Sequence, residues 1–183
     1  METFYSLLKI VTYPAVFVRR MFEFLLCVIL KIDPPEIPEE LTYDEIKGHN
    51  PHGEFLFPAK AAVFNIAVFV FQLAGFVGFY GTALLTLCVF DVGLFSPATG
   101  RIDPMFFVNI VFMYLGICFA ANLFPSANSV ENFWGLCISE AGIISRVIFI
   151  IPASVLRAGV LLENLGITAI LSTVVPIILK IVL

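Results

Sequence analysis

Three charged residues interrupt an otherwise apolar run: Arg19, Arg20 and Glu23 in PAVFVRRMFEFLL. Arg19 and Glu23 are four apart and Arg20 and Glu23 three apart, so either pair can meet on one face of a helix. Two readings follow. The cluster is self-neutralised on an interfacial helix, or it is a polar site turned into the interior of a bundle, where a buried ion marks function by default. A second set, His49, His52 and Glu54, spells H-N-P-H-G-E. Two imidazoles and a carboxylate are chemically adequate for Zn²⁺. Pro51 excludes a regular helix through them, and a solvated loop with incidental histidines is the plainer alternative. Asn65 and Gln72 are seven apart, share a helix face and suit hydrogen bonds to a neighbouring helix. Arg157 and Glu163 are expected at opposite ends of one helix. Cys27, Cys88, Cys118 and Cys137 stand alone in apolar surroundings, without a CxxC pair, and read as small packed side chains rather than zinc or disulfide partners. No side chain is assigned a catalytic role.

The elements that must position these groups are dictated by composition. Of 183 residues, 60% are hydrophobic and only 13% charged, with mean hydropathy +1.02 and 20 Phe. A soluble domain of this length cannot bury so much apolar surface inside itself. The balance also excludes a disordered chain, and a net charge of −4 with no basic stripe excludes a nucleic-acid binder. The surplus apolar surface must face lipid or another protein. The start, Met1-Glu2-Thr3, lacks the basic region of a signal peptide, and the N-terminus is read as retained.

Along the chain, residues 1–32 read as a first helix that Pro14 either kinks or starts, embedded at an angle or half-buried at the interface. Residues 33–58 are an acidic, proline-rich loop with six acids before Lys47, five prolines and both histidines, either outside the membrane or dipping back towards it. Residues 59–183 form the rest of the bundle. Residues 61–90 carry no charge and exceed one bilayer crossing at about 1.5 Å per residue. They read as one bent or tilted helix, in which Ala74, Gly75, Gly78 and Gly81 suit close helix–helix contact. Residues 105–124 are a further span, ended by Pro125-Ser126. Residues 126–139 form a short helix capped by Ser126 or Ser129, with Glu131 in its first turn and Trp134 at interface depth. Residues 141–163 and 166–183 are apolar again. The expectation is a single all-α domain, a multi-pass membrane helical bundle of four to five membrane helices with a polar loop after the first. Lysines and arginines are spread too evenly to orient it.

Two of these stretches together resemble the site-2-protease-like membrane zinc metalloproteases. The first is TYPAVFVRRMFEFLLCVIL, residues 12–30, set against a family pattern like PGxxxHExxHxxxA. In that alignment Arg19 and Glu23 stand where the zinc histidines would be, and Arg20 stands at the general-base glutamate. The second is ANLFPSANSVENFWGL, residues 121–136, which is similar to a family segment around FPSxxD. Asn122, Pro125 and Ser126 match that loop, and Ser129 occupies the place of the aspartate ligand. The loop GHNPHGEF, residues 48–55, is similar to a Gly-His-x-x-His-Glu segment of some relatives. The resemblance implies a compact helical membrane bundle with a polar re-entrant loop. Because HExxH chemistry needs two imidazoles one turn apart and a carboxylate, it implies a degenerate, non-catalytic member.

The function expected is that of a non-catalytic multi-pass membrane protein acting as a subunit or scaffold of a membrane complex, without a cofactor. Its partners would be the lipid bilayer and a membrane protein or a second copy of itself, and not nucleic acid. The alternatives are a divergent intramembrane zinc metalloprotease using His49, His52 and Glu54, and a small transporter or channel component lined by Arg19, Arg20, Glu23 and Arg157. The location expected is a bacterial inner membrane, with an organelle membrane as the alternative.

Overall fold

The computed structural model describes residues 2–32, 57–88, 103–139 and 142–182. The regular structure among the described residues is all helical, in six helices: α1 (Glu2–Leu30), α2 (Pro58–Cys88), α3 (Pro104–Ala120), α4 (Ala127–Ser139), α5 (Ile143–Asn164) and α6 (Ile167–Val182). Pro104 opens α3 at a position where its missing N–H costs nothing, and Asp103 caps that end by accepting from Met105 N at 2.9 Å. Ser126 caps α4, its Oγ accepting from Ser129 N at 3.3 Å. Gly166, at φ +73, supplies the left-handed residue that separates α5 from α6. Pro14 neither starts α1 nor ends it. Beside it, the Val11 carbonyl accepts from Tyr114 Oη at 2.6 Å and Cys118 Sγ at 3.4 Å, so α3 braces the backbone where the proline weakens it.

Residues 105–124 are not helical to their end. The helix stops at Ala120, and residues 121–126 form a buried turn. Asn122 Nδ2 donates to the Cys118 carbonyl at 3.0 Å, and Pro125 has no N–H and disfavours helical geometry at Phe124. The helix breaks for these local reasons.

The pairings α2–α3 and α4–α5 are antiparallel. Tyr80 faces Gly116 and Gly75 faces Phe119 in the first; Trp134 lies by Arg157 and Ile138 by Arg146 in the second. The α2–α3 approach is closest at Gly116, where a Cβ would lie 2.9 Å from Tyr80 Cα and N. Gly78 and Gly81, expected to serve close contact, face open space; Gly75 does serve it, against the Phe119 ring.

The bundle falls into two apolar halves. In one, Leu26 and Cys27 of α1 pack with Phe64 and Val68 of α2, Phe133 of α4 and Leu156 of α5. In the other, Ala15 of α1 packs with Cys118 and Phe119 of α3 and Phe71, Phe76 and Phe79 of α2. α5 packs on α4, while α6 packs on α3 and is tied to α2 by a 2.6 Å bond from Tyr80 Oη to the Ser172 carbonyl. Among the described residues, two stretches are long and apolar enough to cross a membrane: Pro58–Leu87 and Arg146–Asn164. α3 is a shorter apolar helix. Large apolar side chains also face outward, among them Ile143, Ile144, Val147 and Ile151 of α5.

Candidate functional site

Between the two apolar halves lies a polar waist. It gathers Arg19 and Glu23 of α1, Asn65 and Gln72 of α2, Asn122 and Ser126 of the turn, Ser129 of α4 and Glu163 of α5, all buried. The waist forms where the α3–α4 break meets the end of α5.

Its centre is the peptide backbone of Phe124. Arg19 Nη1 donates to the Phe124 carbonyl at 3.0 Å, and the Phe124 N–H donates to Glu163 Oε2 at 2.8 Å. Two opposite charges from two helices thus satisfy both backbone groups of one residue in a segment with no helical partners to offer. The Phe124 ring is held as well. It stacks on Phe69 with centroids 5.3 Å apart and presses on Gly159, where a Cβ would overlap the ring. Glycine at 159 is what lets the ring seat against α5.

Around this centre the charges balance. Arg20 Nη1 bonds Glu23 Oε2 at 2.9 Å, and Arg19 Nε lies 3.6 Å from Glu23 Oε1, an ion pair without a hydrogen bond. Among the described residues, Arg19 and Arg20 face Glu23 and Glu163 here, two cations and two anions. Ser129 Oγ donates to Asn65 Oδ1 at 2.9 Å and so ties the start of α4 to α2. Several buried polar atoms have no hydrogen-bond partner among the described residues: Arg19 Nε and Nη2, Asn122 Oδ1 and both ends of the Gln72 amide.

The structure therefore brings Arg19, beside Arg20 and Glu23, against the turn that carries Asn122, Pro125 and Ser126, with Ser129 in the first turn of the helix that follows. The two stretches that carry the family resemblance touch through Arg19 and Phe124. Of the expectations for α2, Asn65 bonds across to a neighbouring helix and Gln72 does not. Arg157 lies apart from the waist. It pairs with Glu131 through Nε and Oε1 at 2.9 Å and covers the Trp134 ring at 5.3 Å, and Glu131 stands in the second turn of α4 rather than its first. Glu163 is the waist residue that sequence reasoning missed, because no side-chain spacing marks a backbone peptide as an ion's partner. His49, His52 and Glu54 lie outside the described residues.

Among the described residues, no three His, Cys, Asp or Glu side chains come together; Glu23 is flanked by the guanidinium groups of Arg19 and Arg20, and Ser129 is engaged with Asn65. Cys27, Cys118 and Cys137 are buried thiols. Burial pushes the Cys137 thiol up from its ordinary value, which keeps it protonated at neutral pH and poorly nucleophilic. No protein family, characterised protein or solved structure matches the chain.

Proposed function

We propose that this protein is a non-catalytic multi-pass membrane protein, a helical bundle that works through partners as a subunit or scaffold of a membrane complex. In this reading it resembles an inactive intramembrane metalloprotease, and its home is a bacterial inner membrane. One observation supports the proposal: Arg19 and Glu163 of the waist are engaged with the backbone of a broken helix. Inside a bilayer, non-helical backbone survives only where protein groups or water satisfy it. Arg19 and Glu163 do this for Phe124, which accounts for two charges that would otherwise demand a catalytic or transport role. The outward apolar side chains of α5 support contact with lipid or a membrane partner.

Native mass spectrometry of the full chain, extracted from its own membrane in mild detergent, tests the reading. A stoichiometric second membrane protein or a second copy is the expected result; a lone monomer under every extraction condition overturns it. Metal analysis separates the zinc alternative. Stoichiometric zinc that disappears in His49→Ala/His52→Ala would move the assignment to a divergent metalloprotease.

A second reading, a small transporter or channel component, has one observation in its favour. The α3–α4 break and the end of α5 meet through Phe124 and Glu163, and paired helix breaks line solute sites in many carriers. Solute flux in liposomes that is lost in Arg20→Gln would favour it.

A further inference from the structure

The groove between α4 and α5 holds an ion pair at a depth where one is costly. Arg157 lies eleven residues after Arg146 and seven before Asn164, near the middle of a stretch long and apolar enough to cross a membrane. At about 1.5 Å per residue it is about 16 Å from one end and about 10 Å from the other. Its side chain leans towards the helix N-terminus, the more distant end, so it does not snorkel out to water. Glu131 Oε1 accepts from Arg157 Nε at 2.9 Å and so shares that depth. Yet the two side chains are 44% and 54% exposed on the outside of the bundle. Ions within a span are expensive against hydrocarbon and face protein or a water-filled cavity instead.

The groups left unbonded point to what covers this face. Among the described residues, the terminal nitrogens of Arg157 and Oε2 of Glu131 make no hydrogen bond. A guanidinium and a carboxylate side by side call for a carboxylate and a guanidinium side by side. A second copy presents that set. Both copies cross the bilayer in the same sense, so a two-fold axis along the membrane normal brings the second pair in at the same depth, with its signs exchanged. A partner offering a lone cation or a lone anion would satisfy half of it. The backbone permits the approach. The groove, of about 360 Å³, is lined on the α5 side by Ser154, Ala158 and Leu161, and the first two are small enough for helices to come close.

We propose that the α4–α5 groove is the contact surface of a two-fold dimer of this chain, in which Arg157 of each copy bonds Glu131 of the other. The four side chains then form a ring of alternating charge, covered from lipid by the two bundles. The proposal rests on the bilayer reading above and names the partner that reading leaves open.

Charge reversal tests it on the full chain in mild detergent, with the oligomeric state read by native mass spectrometry. The wild type is expected to be a dimer. Arg157→Glu leaves two carboxylates on each copy and Glu131→Arg two guanidinium groups. Each homodimer should weaken at least about hundredfold, about tenfold for each of the two reciprocal contacts. Mixed in equal amounts, the two variant chains should pair with each other, because each supplies the sign the other lacks. The double variant Arg157→Glu/Glu131→Arg should dimerise as the wild type does, and its recovery separates a lost contact from misfolding. Single variants that dimerise like the wild type, folded variants that fail to pair on mixing, or a folded double variant that stays monomeric each overturn the proposal. A different membrane protein, held by the wild type and lost in both single variants, overturns it too while keeping the scaffold reading. Ion conduction across wild-type liposomes that Arg157→Gln abolishes overturns it in favour of a water-filled path. A wild type that inserts into liposomes without pairing sinks the dimer and leaves the bilayer reading standing; a folded chain that fails to insert sinks both.

Discussion

Two of the Arg–Glu pairs among the described residues stand in opposite circumstances. Arg19 and Glu23 are both fully buried, 3.6 Å apart and not hydrogen-bonded to each other, while Arg157 and Glu131 are half-exposed and bonded at 2.9 Å. The better-made bond belongs to the pair that matters less for stability. Water, salt and rotamer freedom reduce an exposed pair to a small contribution. A buried pair contributes through what its loss leaves behind, an uncompensated charge and an orphaned backbone group. The difference teaches that the waist is a structural clamp on the Phe124 turn, whereas the exposed pair is dispensable to the fold.

Substitutions at the two places break or sharpen that contrast. The largest effect is expected from Arg19→Met, which removes the donor to the Phe124 carbonyl and one of the two cations beside Glu23. A loss of about 3–5 kcal/mol is the usual cost of breaking a buried pair. A thiol-reactive dye reporting exposure of the buried Cys27, Cys118 and Cys137 during heating measures it. Wild-type melting in this variant would show that the turn holds without its clamp.

Next comes Gly116→Ala in the apolar half, expected to cost about 1–3 kcal/mol because its new methyl meets Tyr80 backbone at 2.9 Å. Gly78→Ala on the same hairpin meets nothing and should instead stabilise by up to about 1 kcal/mol through helix propensity. Opposite signs from one substitution type would locate the tight crossing; equal signs would deny it.

Ser129→Ala takes from Asn65 Oδ1 a buried donor, and a loss of about 1 kcal/mol is expected in the same dye assay. The smallest change is expected from Arg157→Gln, within about 1 kcal/mol of wild type and diminished further by salt. Should Arg157→Gln prove as damaging as Arg19→Met in the detergent-separated monomer, the contrast between the two regions would be wrong.

Much of this arrangement is legible in residue order. The apolar runs predict each of the six described helices, and Ser126, one of the two caps expected, caps α4. Arg19 and Glu23 are buried in the bundle, and the i to i+4 spacing already allowed them to meet. The glycine stripe was partly misleading. Composition marks where close contact is possible, but which glycines face a neighbour depends on the rotation of each helix about its axis. Gly78 and Gly81 face away, and Gly116, unmarked by any repeat, makes the contact.

By itself, the sequence determines that this chain is helical, too apolar to hide its surface, and charged at a few positions where charge is costly. Those are local and compositional properties, readable from neighbours along the chain. Only tertiary structure decided which charges meet. Arg19 and Phe124 are separated by 105 positions, and Phe124 and Glu163 by 39. Their partnership rests on a backbone carbonyl and N–H, groups that every residue but proline carries, so no side-chain pattern could announce it. The same limit applies to Arg157, whose expected place at one end of the helix from Glu163 said nothing of Glu131 and Trp134. The packing of α4 against α5 placed it there and set the two ion pairs to different work.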